Sequence, residues 1–402
     1  MKTRVQNRAA TISTIQQILR VQGMAKLITL GAEEELQIVD QQSLELATHD
    51  FERGQLDFPD RNGSSSCELH KAVVELQTPI CHTPDQIVAS VADMREIIRL
   101  RAQAQGQRIL SAGVHPFSNW KEQEINKDLH KHQHYIRLVD EYADIMRSLV
   151  SYGFHVHLGL PKGIPAMAVF NSLRNSLAPV LAISLSSPFY EGRDTGMQSW
   201  RHSMLDRLPR MGTPDIWRSE EEYFQHINLL RKVGTLEAQH GMWEDLRLHH
   251  HYHTLEVRIC DATPSLEHIW LITALLQCEV ATLVEDYQRG RLPKPLSRAC
   301  LEENKWRVRR RGLAASLIDW NSETPVSLYD YFEHWLTRLT PAAQELNLLD
   351  RMREKVQALF IQGASADIQR GIFQRSENYQ TIVQHLIHET EDAHFASASY
   401  LQ

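Results

Sequence analysis

The chain has 402 residues, enough for two or three domains or for one large domain. Hydrophobic residues make up 42% of the chain and charged residues 23%, so a mostly disordered protein is excluded. The formal net charge of −7 does not favour a nucleic acid as the partner. No run approaches the roughly 18 continuous apolar residues of a membrane helix, so we expect no membrane partner.

The start of the chain and the cysteines indicate the cellular compartment. Residues 11–21 alternate polar and apolar residues at helical spacing, unlike a signal peptide, and a helical segment is predicted over 1–26. The five cysteines are scattered and form no CxxC motif, which is typical of reduced thiols. We therefore expect a cytoplasmic protein with neither a disulfide framework nor a structural zinc site.

Hydrophobic periodicity predicts strands first and helices later. Strands are predicted at 27–40, 68–80, 109–116, 151–161 and 252–261. Helices are predicted at 84–108, 134–150, 165–187, 266–288, 298–319, 341–363 and 365–395. The stretch 188–219 is rich in Gly and Pro, and a loop of this length is a candidate active-site loop.

This order of elements predicts an α+β fold with an antiparallel sheet of about six strands flanked by helices. A doubly wound parallel sheet would instead alternate strands and helices along the whole chain. We predict an N-terminal helical segment (1–26), a catalytic sheet domain (27–290) and a helical C-terminal region (291–402) packed on the same domain.

Several predicted strands have one apolar face and one face with ionisable groups. These groups are Glu33 and Glu35 on the first strand, Glu75 on the second, His155 and His157 on another, and Glu256 and Arg258 on the last. Residues two apart on a strand point the same way and lie about 7 Å apart. A sheet with one face on the core would gather these side chains on its other face.

Such a face has the composition of a metal site. Several glutamates with histidine form an oxygen-rich ligand set that favours Mg²⁺ or Mn²⁺ over zinc. Cations held by carboxylates keep positions open for water and for substrate phosphates. Arg258 beside them would contact a phosphate or a developing negative charge.

Each of these segments also has an ordinary structural explanation. GAEEEL alone is typical of a solvated acidic patch, HVH of a sheet edge, and LEVRICD of a structural ion pair. The coincidence of three such faces on otherwise apolar strands favours a site. The histidine run (His249, His250, His251 and His253) is interpreted as an exposed approach to the last strand, because adjacent residues cannot all face one ion.

Familiar nucleotide and hydrolase motifs are missing from the sequence. There is no GxxxxGK[ST], no GxGxxG and no GxSxG. These absences disfavour a P-loop, a Rossmann nucleotide site and simple acyl-enzyme hydrolysis. Metal-assisted chemistry on an acidic sheet face is the interpretation that remains.

Taken together, these segments resemble the glutamate–cysteine ligase family 2, whose members are also described as carboxylate–amine ligases. The matching stretches are LGAEEELQIVD (30–40), VVELQTPICHTP (73–84), SAGVHPFSNW (111–120), GFHVHLGLP (153–161), LAISLSSPFYEGRDTGMQSWRHSM (181–204), PRMGTP (209–214) and HTLEVRICDA (253–262). They follow the family's order and cover about residues 30–285.

The resemblance implies a glutamine synthetase/guanido kinase-like fold, in which a curved antiparallel sheet presents a cation-lined face to ATP and substrate. It also implies that ATP phosphorylates a carboxylate and that an amine attacks the acyl phosphate, giving γ-glutamylcysteine in the best-known members. By motif, the implied metal ligands are Glu33, Glu35, Glu75, His155 and Glu256, with Glu256 and Arg258 catalytic. The implied contacts are His157 and Arg258 to ATP, and Arg193, Arg201 and Arg210 to a substrate carboxylate or phosphate.

The resemblance leaves the substrates and some alternatives open. The segment GMWEDLRLHHHYHTLEVR carries the histidine run where family members usually have a shorter polar approach, so the carboxylate and the amine stay undetermined. We expect small amino acid substrates, ATP and Mg²⁺ or Mn²⁺; the helical C-terminal region is a candidate cover for the site or a candidate homodimer contact. The alternatives are a phosphagen-kinase-like phosphotransferase, a metal-dependent hydrolase using His155 and His157, and a catalytically silent relative.

Overall fold

The structure is a computed structural model. It describes residues 23–49, 51, 63–126, 133–236, 242–249, 252, 254–320 and 322–392. Most of the predicted N-terminal segment therefore lies outside the described residues, as do His250, His251 and His253 of the histidine run. Residues 23–26 of that segment are described, and a short 3₁₀ helix begins there at Ala25 and ends at Leu27.

A seven-stranded antiparallel sheet organises the molecule. The described chain has thirteen strands, and the six that do not belong to this sheet form three two-stranded pairs, β6-β7, β8-β9 and β12-β13. In chain order the strands are β1 (Thr29–Asp40), β2 (Ser64–Cys67), β3 (Val73–Gln77), β4 (Gln107–Leu110), β5 (Gly153–Gly159), β6 (Phe189–Tyr190), β7 (Arg193–Asp194), β8 (Met211–Gly212), β9 (Trp243–Glu244), β10 (Leu246–His249), β11 (Thr254–Asp261), β12 (Ser316–Asp319) and β13 (Thr324–Ser327). The sheet order is β10-β11-β5-β1-β3-β2, and β4 pairs with the far end of β1. The predicted α+β fold with an antiparallel sheet is confirmed, with one strand more than expected.

Twelve described α-helices surround the sheet. They are α1 (Pro84–Ala104), α2 (Gln133–Arg147), α3 (Ala166–Leu173), α4 (Leu177–Ser184), α5 (Trp200–Leu205), α6 (Glu220–Lys232), α7 (Leu266–Gln288), α8 (Arg298–Arg311), α9 (Leu328–Glu345), α10 (Leu349–Gln362), α11 (Ser365–Ser376) and α12 (Tyr379–Glu391). Five of them begin after a Ser or Thr whose hydroxyl accepts a backbone N–H of the first turn, which satisfies an otherwise unpaired donor. These capping residues are Thr83, Ser219, Ser265, Ser297 and Ser327.

The structure corrects several predicted boundaries. Of the strand predicted over 68–80, only Val73–Gln77 forms a strand, which is β3. The single helix predicted over 165–187 is two helices, α3 and α4, separated by a 3₁₀ turn at Arg174–Ser176. The guanidinium of Arg174 is fully buried at this turn and donates to the carbonyl oxygens of Pro214 and Leu296. The predicted loop 188–219 is partly regular, because it contains α5 and three short strands.

The inner face of the sheet packs on helices to form the main core. Leu30, Val156 and Val257 lie on three neighbouring strands and are buried in one cluster with residues of α4 and α7. Within the described chain, α7 is the one helix long and apolar enough to span a membrane by length and composition, and 83% of that apolar window is buried in the molecule. Its apolar surface is therefore core surface.

The C-terminal helices pack on the sheet region. Ile382 and Leu386 of α12 are buried in a cluster with Val39 of β1 and Leu110 of β4. The Arg108 side chain of β4 donates to the Glu391 carboxylate at the end of α12, with Nε–Oε1 at 2.9 Å. The last helix therefore covers the end of the sheet where β4 pairs with β1.

The middle glutamate of the β1 sequence EEE faces the core. Glu34 is 1% exposed and accepts hydrogen bonds from Arg95 of α1, with Nε–Oε2 at 2.9 Å and Nη2–Oε1 at 2.5 Å. The same guanidinium donates to the carbonyl oxygens of Thr263 and Pro264, and the hydroxyl of Ser111 donates to Glu34 at 2.8 Å. This buried network joins β1, α1 and the turn between β11 and α7.

Removing Glu34 should destabilise the fold strongly, because it leaves the Arg95 charge buried without its partner. We expect Glu34→Ala to lower the free energy of unfolding by about 3–5 kcal/mol in denaturant titrations. Glu96→Ala removes a more exposed Glu–Arg pair of the same helix and should cost less than about 0.5 kcal/mol. Equal losses in the two variants would contradict a structural role for the buried pair.

Candidate active site on the polar face of the sheet

The strand register gathers the predicted ionisable residues on one face. Glu33 of β1 lies opposite His155 of β5 on one side, and Glu35 lies opposite Glu75 of β3 on the other. On the far side of β5, His157 lies opposite Glu256 of β11. Directly paired residues in an antiparallel sheet point to the same face, so separate parts of the sequence meet here.

Glu33 is held between the two histidines of β5. Its Oε2 lies 3.2 Å from Nδ1 of His155, and its Oε1 lies 3.1 Å from Nε2 of His157. Burial acts to raise the pKa of Glu33, but the hydrogen bonds and charges of the two histidines hold it well below its ordinary value. Glu33 is therefore an ionised carboxylate at neutral pH.

Glu256 lies between two arginines. It is fully buried, and its two oxygens accept hydrogen bonds from Arg258 on the same strand and from Arg247 on β10. Burial opposes ionisation, but the two guanidinium groups lower the pKa of Glu256 to about 2. Arg247 was missed from the sequence, although LRLH (246–249) alternates apolar and polar residues as a half-buried strand does.

A second set of carboxyl groups lines a cavity beside Glu33. This cavity of about 390 Å³, here called the acidic chamber, is lined by Glu35, Glu68, Glu75, Arg201 and Arg258 among others. Burial and the neighbouring carboxylates raise the pKa of Glu75 well above its ordinary value and that of Glu68 to about 7. Burial also raises the pKa of Glu35, against the opposing effect of Arg201 and Arg258.

Glu68 was not identified as a site residue from the sequence. It follows the end of β2 and accepts a hydrogen bond from the hydroxyl of Tyr135 on α2 at 2.7 Å. In the predicted strand 68–80, Glu68 would lie on the face opposite to Glu75; in the structure it lies between β2 and β3, outside either strand. Only the tertiary packing of α2 against this part of the chain brings it to the chamber.

Arg201 reaches the site from α5. Its Nη2 lies 3.5 Å from the carbonyl oxygen of Arg258, and its Nη1 is buried with no hydrogen-bond partner among the described residues. A Cβ at Gly153 would lie 2.5 Å from Nη2 of Arg201 and 2.7 Å from Nε2 of His155, so only glycine leaves room for both side chains. The absence of a side chain at Gly153 thus allows the Arg201 guanidinium to reach the sheet face.

The other two predicted substrate arginines lie elsewhere. Arg193 is exposed on β7, with its guanidinium 5.1 Å from the ring centre of Trp200, and it does not line the acidic chamber. Arg210 is not among the lining residues either, and its Nη2 lies 2.5 Å from the hydroxyl of Tyr142. Of the three arginines, the structure brings only Arg201 together with the acidic residues; substrate binding by each stays a prediction.

A second cavity adjoins the acidic chamber. This apolar pocket of about 690 Å³ is lined by Leu27, Pro79, Ile80, Leu160, Ile164, Phe224 and further residues. Both cavities include Glu33, Gln77, His249 and Tyr252 in their walls. The carboxylate of Glu33 therefore stands at the boundary between a largely apolar pocket and a charged one.

The first histidine of the run helps to form this boundary. The rings of His249 and Tyr252 stack with centroids 4.5 Å apart, and the His249 ring meets His157 edge-on at 5.5 Å. His249 ends β10 and is half-buried, so it lies at the site rather than on an exposed approach. Tyr252, three residues later, is 65% exposed.

Three of the described residues could hold a cation together. Glu33, His157 and Glu256 each offer a ligand atom, and these atoms lie within 4.8 Å of one another. Ligands of an octahedral Mg²⁺ are separated by at most about 4.2 Å, so a small closure would suit the ion. The predicted ligand His155 is not part of this group; its Nδ1 lies 3.2 Å from Oε2 of Glu33, and its Nε2 is buried without a hydrogen-bond partner among the described residues. The metal ligands therefore stay a prediction.

The charge balance of the face also fits a cation. Five glutamates meet three arginines there, and the pKa values of Glu35, Glu68 and Glu75 are raised partly because these carboxyls repel one another. An added positive charge would favour their ionised forms. Oxygen-rich donors with a single imidazole suit Mg²⁺ or Mn²⁺.

Comparison with known proteins agrees with the motifs on this face. The family model for glutamate-cysteine ligase family 2 matches residues 29–385. The chain belongs to this family. The match spans the sheet and most of the C-terminal helices, including the region after residue 285 where the sequence motifs gave no resemblance.

Relatives and solved structures are similar over most of the chain. A Sorangium cellulosum protein provisionally named glutamate–cysteine ligase 2 is 33% identical over 367 residues, covering 90% of this chain and 96% of its own length. A Herpetosiphon aurantiacus protein with the same provisional name is 32% identical over 365 residues, covering 90% of this chain and 93% of its own length.

Two solved structures show that the fold is shared with ligases. The Francisella tularensis glutamate–cysteine ligase, in complex with AMP, has a TM-score of 0.67 at 13% identity and covers 91% of this chain and 89% of its own. A bifunctional glutathione synthetase from Pasteurella multocida has a TM-score of 0.70 at 14% identity, covering 95% of this chain and 54% of its own. The expected glutamine-synthetase-like fold class is thereby confirmed.

Protonation of Glu68 gives the acidic chamber a testable pH dependence. The pKa of Glu68 is about 7 in the folded protein against an ordinary value of 4.5, so the folded state binds the extra proton between these values. The stability contributed by this group therefore falls as the pH rises from about 5 to about 8. We expect Glu68→Gln, which cannot ionise, to gain thermal stability over the unmodified protein as the pH rises through this window, in chelator-treated buffer.

A surface carboxyl provides the control for this titration. Glu124 pairs with Lys71 and has a side chain that is 62% exposed. The melting temperature of Glu124→Gln should run parallel to that of the unmodified protein across the same pH values. A constant difference between Glu68→Gln and the unmodified protein would show that Glu68 has an ordinary pKa.

Proposed function

We propose that the protein is an ATP-dependent carboxylate–amine ligase of the glutamate–cysteine ligase type, forming an amide through an acyl phosphate. The observation that carries the proposal is the convergence of Glu33, His157 and Glu256 beside Arg258 on one sheet face. A cytoplasmic location, and amino acids as the carboxylate and the amine, belong to the same proposal.

The proposed reaction explains why the face is so strongly charged. A carboxylate is a poor electrophile, and its phosphorylation supplies a leaving group. Phosphoryl transfer between two anions depends on charge neutralisation and alignment rather than on a protein nucleophile. Glu33, His157 and Glu256 would hold Mg²⁺ or Mn²⁺, which when bound neutralises phosphate charge.

The arginines would act on the same transfer. Arg258 lines the acidic chamber and is held by Glu256, so its guanidinium is directed before any substrate arrives. A fixed planar donor of this kind suits a transferring phosphoryl group or the acyl phosphate. Arg201, whose Nη1 has no hydrogen-bond partner among the described residues, would bind a substrate carboxylate.

The two cavities suit the two kinds of substrate. The apolar pocket ends at Glu33 and His157, and a nucleotide base there would direct its phosphates toward the proposed cation ligands. The acidic chamber begins at Glu33 and contains both carboxyl groups and arginines, which suits a zwitterionic amino acid. The AMP found with the Francisella tularensis ligase supports nucleotide use in this fold.

The alternatives differ in their products and in their need for ATP. We expect ADP release in a coupled assay only when ATP, a divalent cation, an amino acid carboxylate and an amine are all present, starting with glutamate and cysteine. Mass spectrometry should then show an amide. A stable phosphorylated product without an amide would identify a phosphotransferase, and chelator-sensitive hydrolysis without ATP would identify a hydrolase. Silence across all amino acid pairs would count against the ligase.

The buried Glu256–Arg258 pair provides the most direct variants. We expect Glu256→Gln to reduce kcat on the order of 100-fold, because it removes both a proposed cation ligand and the partner of Arg258. Arg258→Lys should also reduce kcat on the order of 100-fold, since a point charge cannot reproduce bidentate phosphate contact. Initial rates at saturating Mg²⁺ test both. Glu96→Gln on α1 is the matched control, and rates equal to that control would contradict the assignment.

Loss of a proposed cation ligand should appear in the metal dependence of the rate. Glu33→Gln keeps the shape of the side chain but removes its charge, so we expect the Mg²⁺ concentration for half-maximal rate to rise at least about 10-fold. Circular dichroism should show the same fold in both proteins. An unchanged Mg²⁺ requirement would exclude Glu33 as a ligand and would leave the ligase reaction itself to the product assay.

A further inference from the structure

A buried carboxylate surrounded by serine hydroxyls lies behind the acidic chamber. Asp261 ends β11 and is fully buried. The hydroxyl of Ser187 donates to its Oδ2 at 2.7 Å, and the hydroxyl of Ser199 donates to its Oδ1 at 2.8 Å. The backbone N–H of Ser186 also approaches Oδ2 at 3.3 Å. Both carboxylate oxygens are thus bound by neutral donors.

The two serines that bind Asp261 also hold the beginning of α5. Ser199 directly precedes this helix, and the Ser187 hydroxyl accepts the backbone N–H of Arg201 at 3.2 Å. The carbonyl oxygen of Ser187 accepts the backbone N–H of Trp200 at 2.8 Å. The position of the Arg201 backbone is therefore connected to the Asp261 carboxylate through a single hydroxyl group.

The Asp261 carboxyl group also interacts electrostatically with Arg201. Burial raises its pKa, and Arg201 is the cation that most opposes this effect. No residue in the described ranges forms an ion pair with Asp261, so its hydrogen-bond partners are the neutral donors named above. A buried carboxylate without a paired cation is costly, because burial disfavours its charged form.

The backbone of Gly113 lies close against the Asp261 side chain. A Cβ at Gly113 would lie 2.7 Å from its Oδ2, and the backbone N–H of Gly113 donates to Ser186 at 2.8 Å. Asp261 therefore lies between Gly113, which follows β4, and the serine that binds the first turn of α5.

We propose that Asp261 is a positioning residue for Arg201, and that through Ser187 and Ser199 it sets how the guanidinium enters the acidic chamber. Arg201 Nη1, buried and without a hydrogen-bond partner in the described part of the chain, is then held ready for a substrate carboxylate. The substrate part of this inference rests on the proposed function, and the geometric part does not. Asp261 itself touches no substrate.

Steady-state kinetics test the substrate part. Asp261→Asn keeps the size of the side chain and removes its charge, so we expect the KM for the carboxylate-bearing amino acid to rise about 10-fold, with kcat and the KM for ATP changed less than about 3-fold. Adding Asp261→Asn to Arg201→Met should raise KM no further, because the two residues act on one contact. Asp206→Asn removes a carboxylate at the other end of α5, where it pairs with Arg309, and should leave KM unchanged.

Two further measurements separate the outcomes. Ser199→Ala removes one hydroxyl and should raise the same KM by a smaller factor, which keeps the test open if Asp261→Asn folds poorly.

A crystal structure of Asp261→Asn should show the Arg201 guanidinium displaced from Gly153, whether or not any ligase activity is found. An unmoved guanidinium, KM effects that multiply in the double variant, or a loss of kcat alone would overturn the positioning role. Absence of turnover with a displaced Arg201 would refute only the proposed function.

Discussion

The close approach of like charges on the outer face of the sheet is the constraint on which the rest of this structure depends. Glu33 and Glu35 lie on β1, Glu75 on β3 and Glu256 on β11, and the antiparallel register brings these three segments together near Glu68. Such a group would spread apart in a flexible scaffold. It persists here because the four glutamates on strands extend from strands whose other face is buried in the core.

Two kinds of neighbour keep two of these carboxylates ionised, and the other three carboxyl groups instead have raised pKa values. Histidines bind Glu33 and keep it ionised, and paired arginines do the same for Glu256. Glu35, Glu68 and Glu75 have too few cations nearby, so burial and mutual repulsion raise their pKa values instead. The face is therefore divided into a part that is anionic and a part that readily holds protons, side by side. Adding or removing positive charge at the boundary would shift this balance.

Much of this face was predictable from the sequence because alternation along a strand is a local property. Period two assigned Glu33 and Glu35, His155 and His157, and Glu256 and Arg258 to polar faces, and the structure brings all six to one surface. Local patterns do not specify which strands become neighbours; for that step the ordered motifs of a family resemblance were needed. Neither the local patterns nor the family motifs identified Glu68, which lies outside a strand, or showed whether His249 is buried.

The predicted arginines illustrate where such reasoning fails. Arg193, Arg201 and Arg210 lie in one stretch of Gly- and Pro-rich sequence, and nothing in that stretch distinguishes one of them as the better candidate for substrate binding. Only the packing of α5 against β11, through buried serine hydroxyls, directs Arg201 toward the sheet. Arg193 instead extends from a short hairpin into solvent. Side chains whose direction depends on tertiary hydrogen bonds carry no periodic signal, so the sequence could not separate the three.

The tripeptide Glu33–Glu34–Glu35 shows how one segment meets the opposing demands of stability and chemistry. The pleat of β1 directs its outer two carboxylates to the charged face and the middle one into the core, where Arg95 binds it. That guanidinium also holds the carbonyl oxygens of Thr263 and Pro264, directly after the strand that carries Glu256 and Arg258. The buried ion pair thus joins the two strands that supply most of the charged groups, from the side opposite to the site. A scaffold fixed in this way can keep its outer carboxylates close together, since their repulsion is opposed by contacts that neither water nor salt can reach.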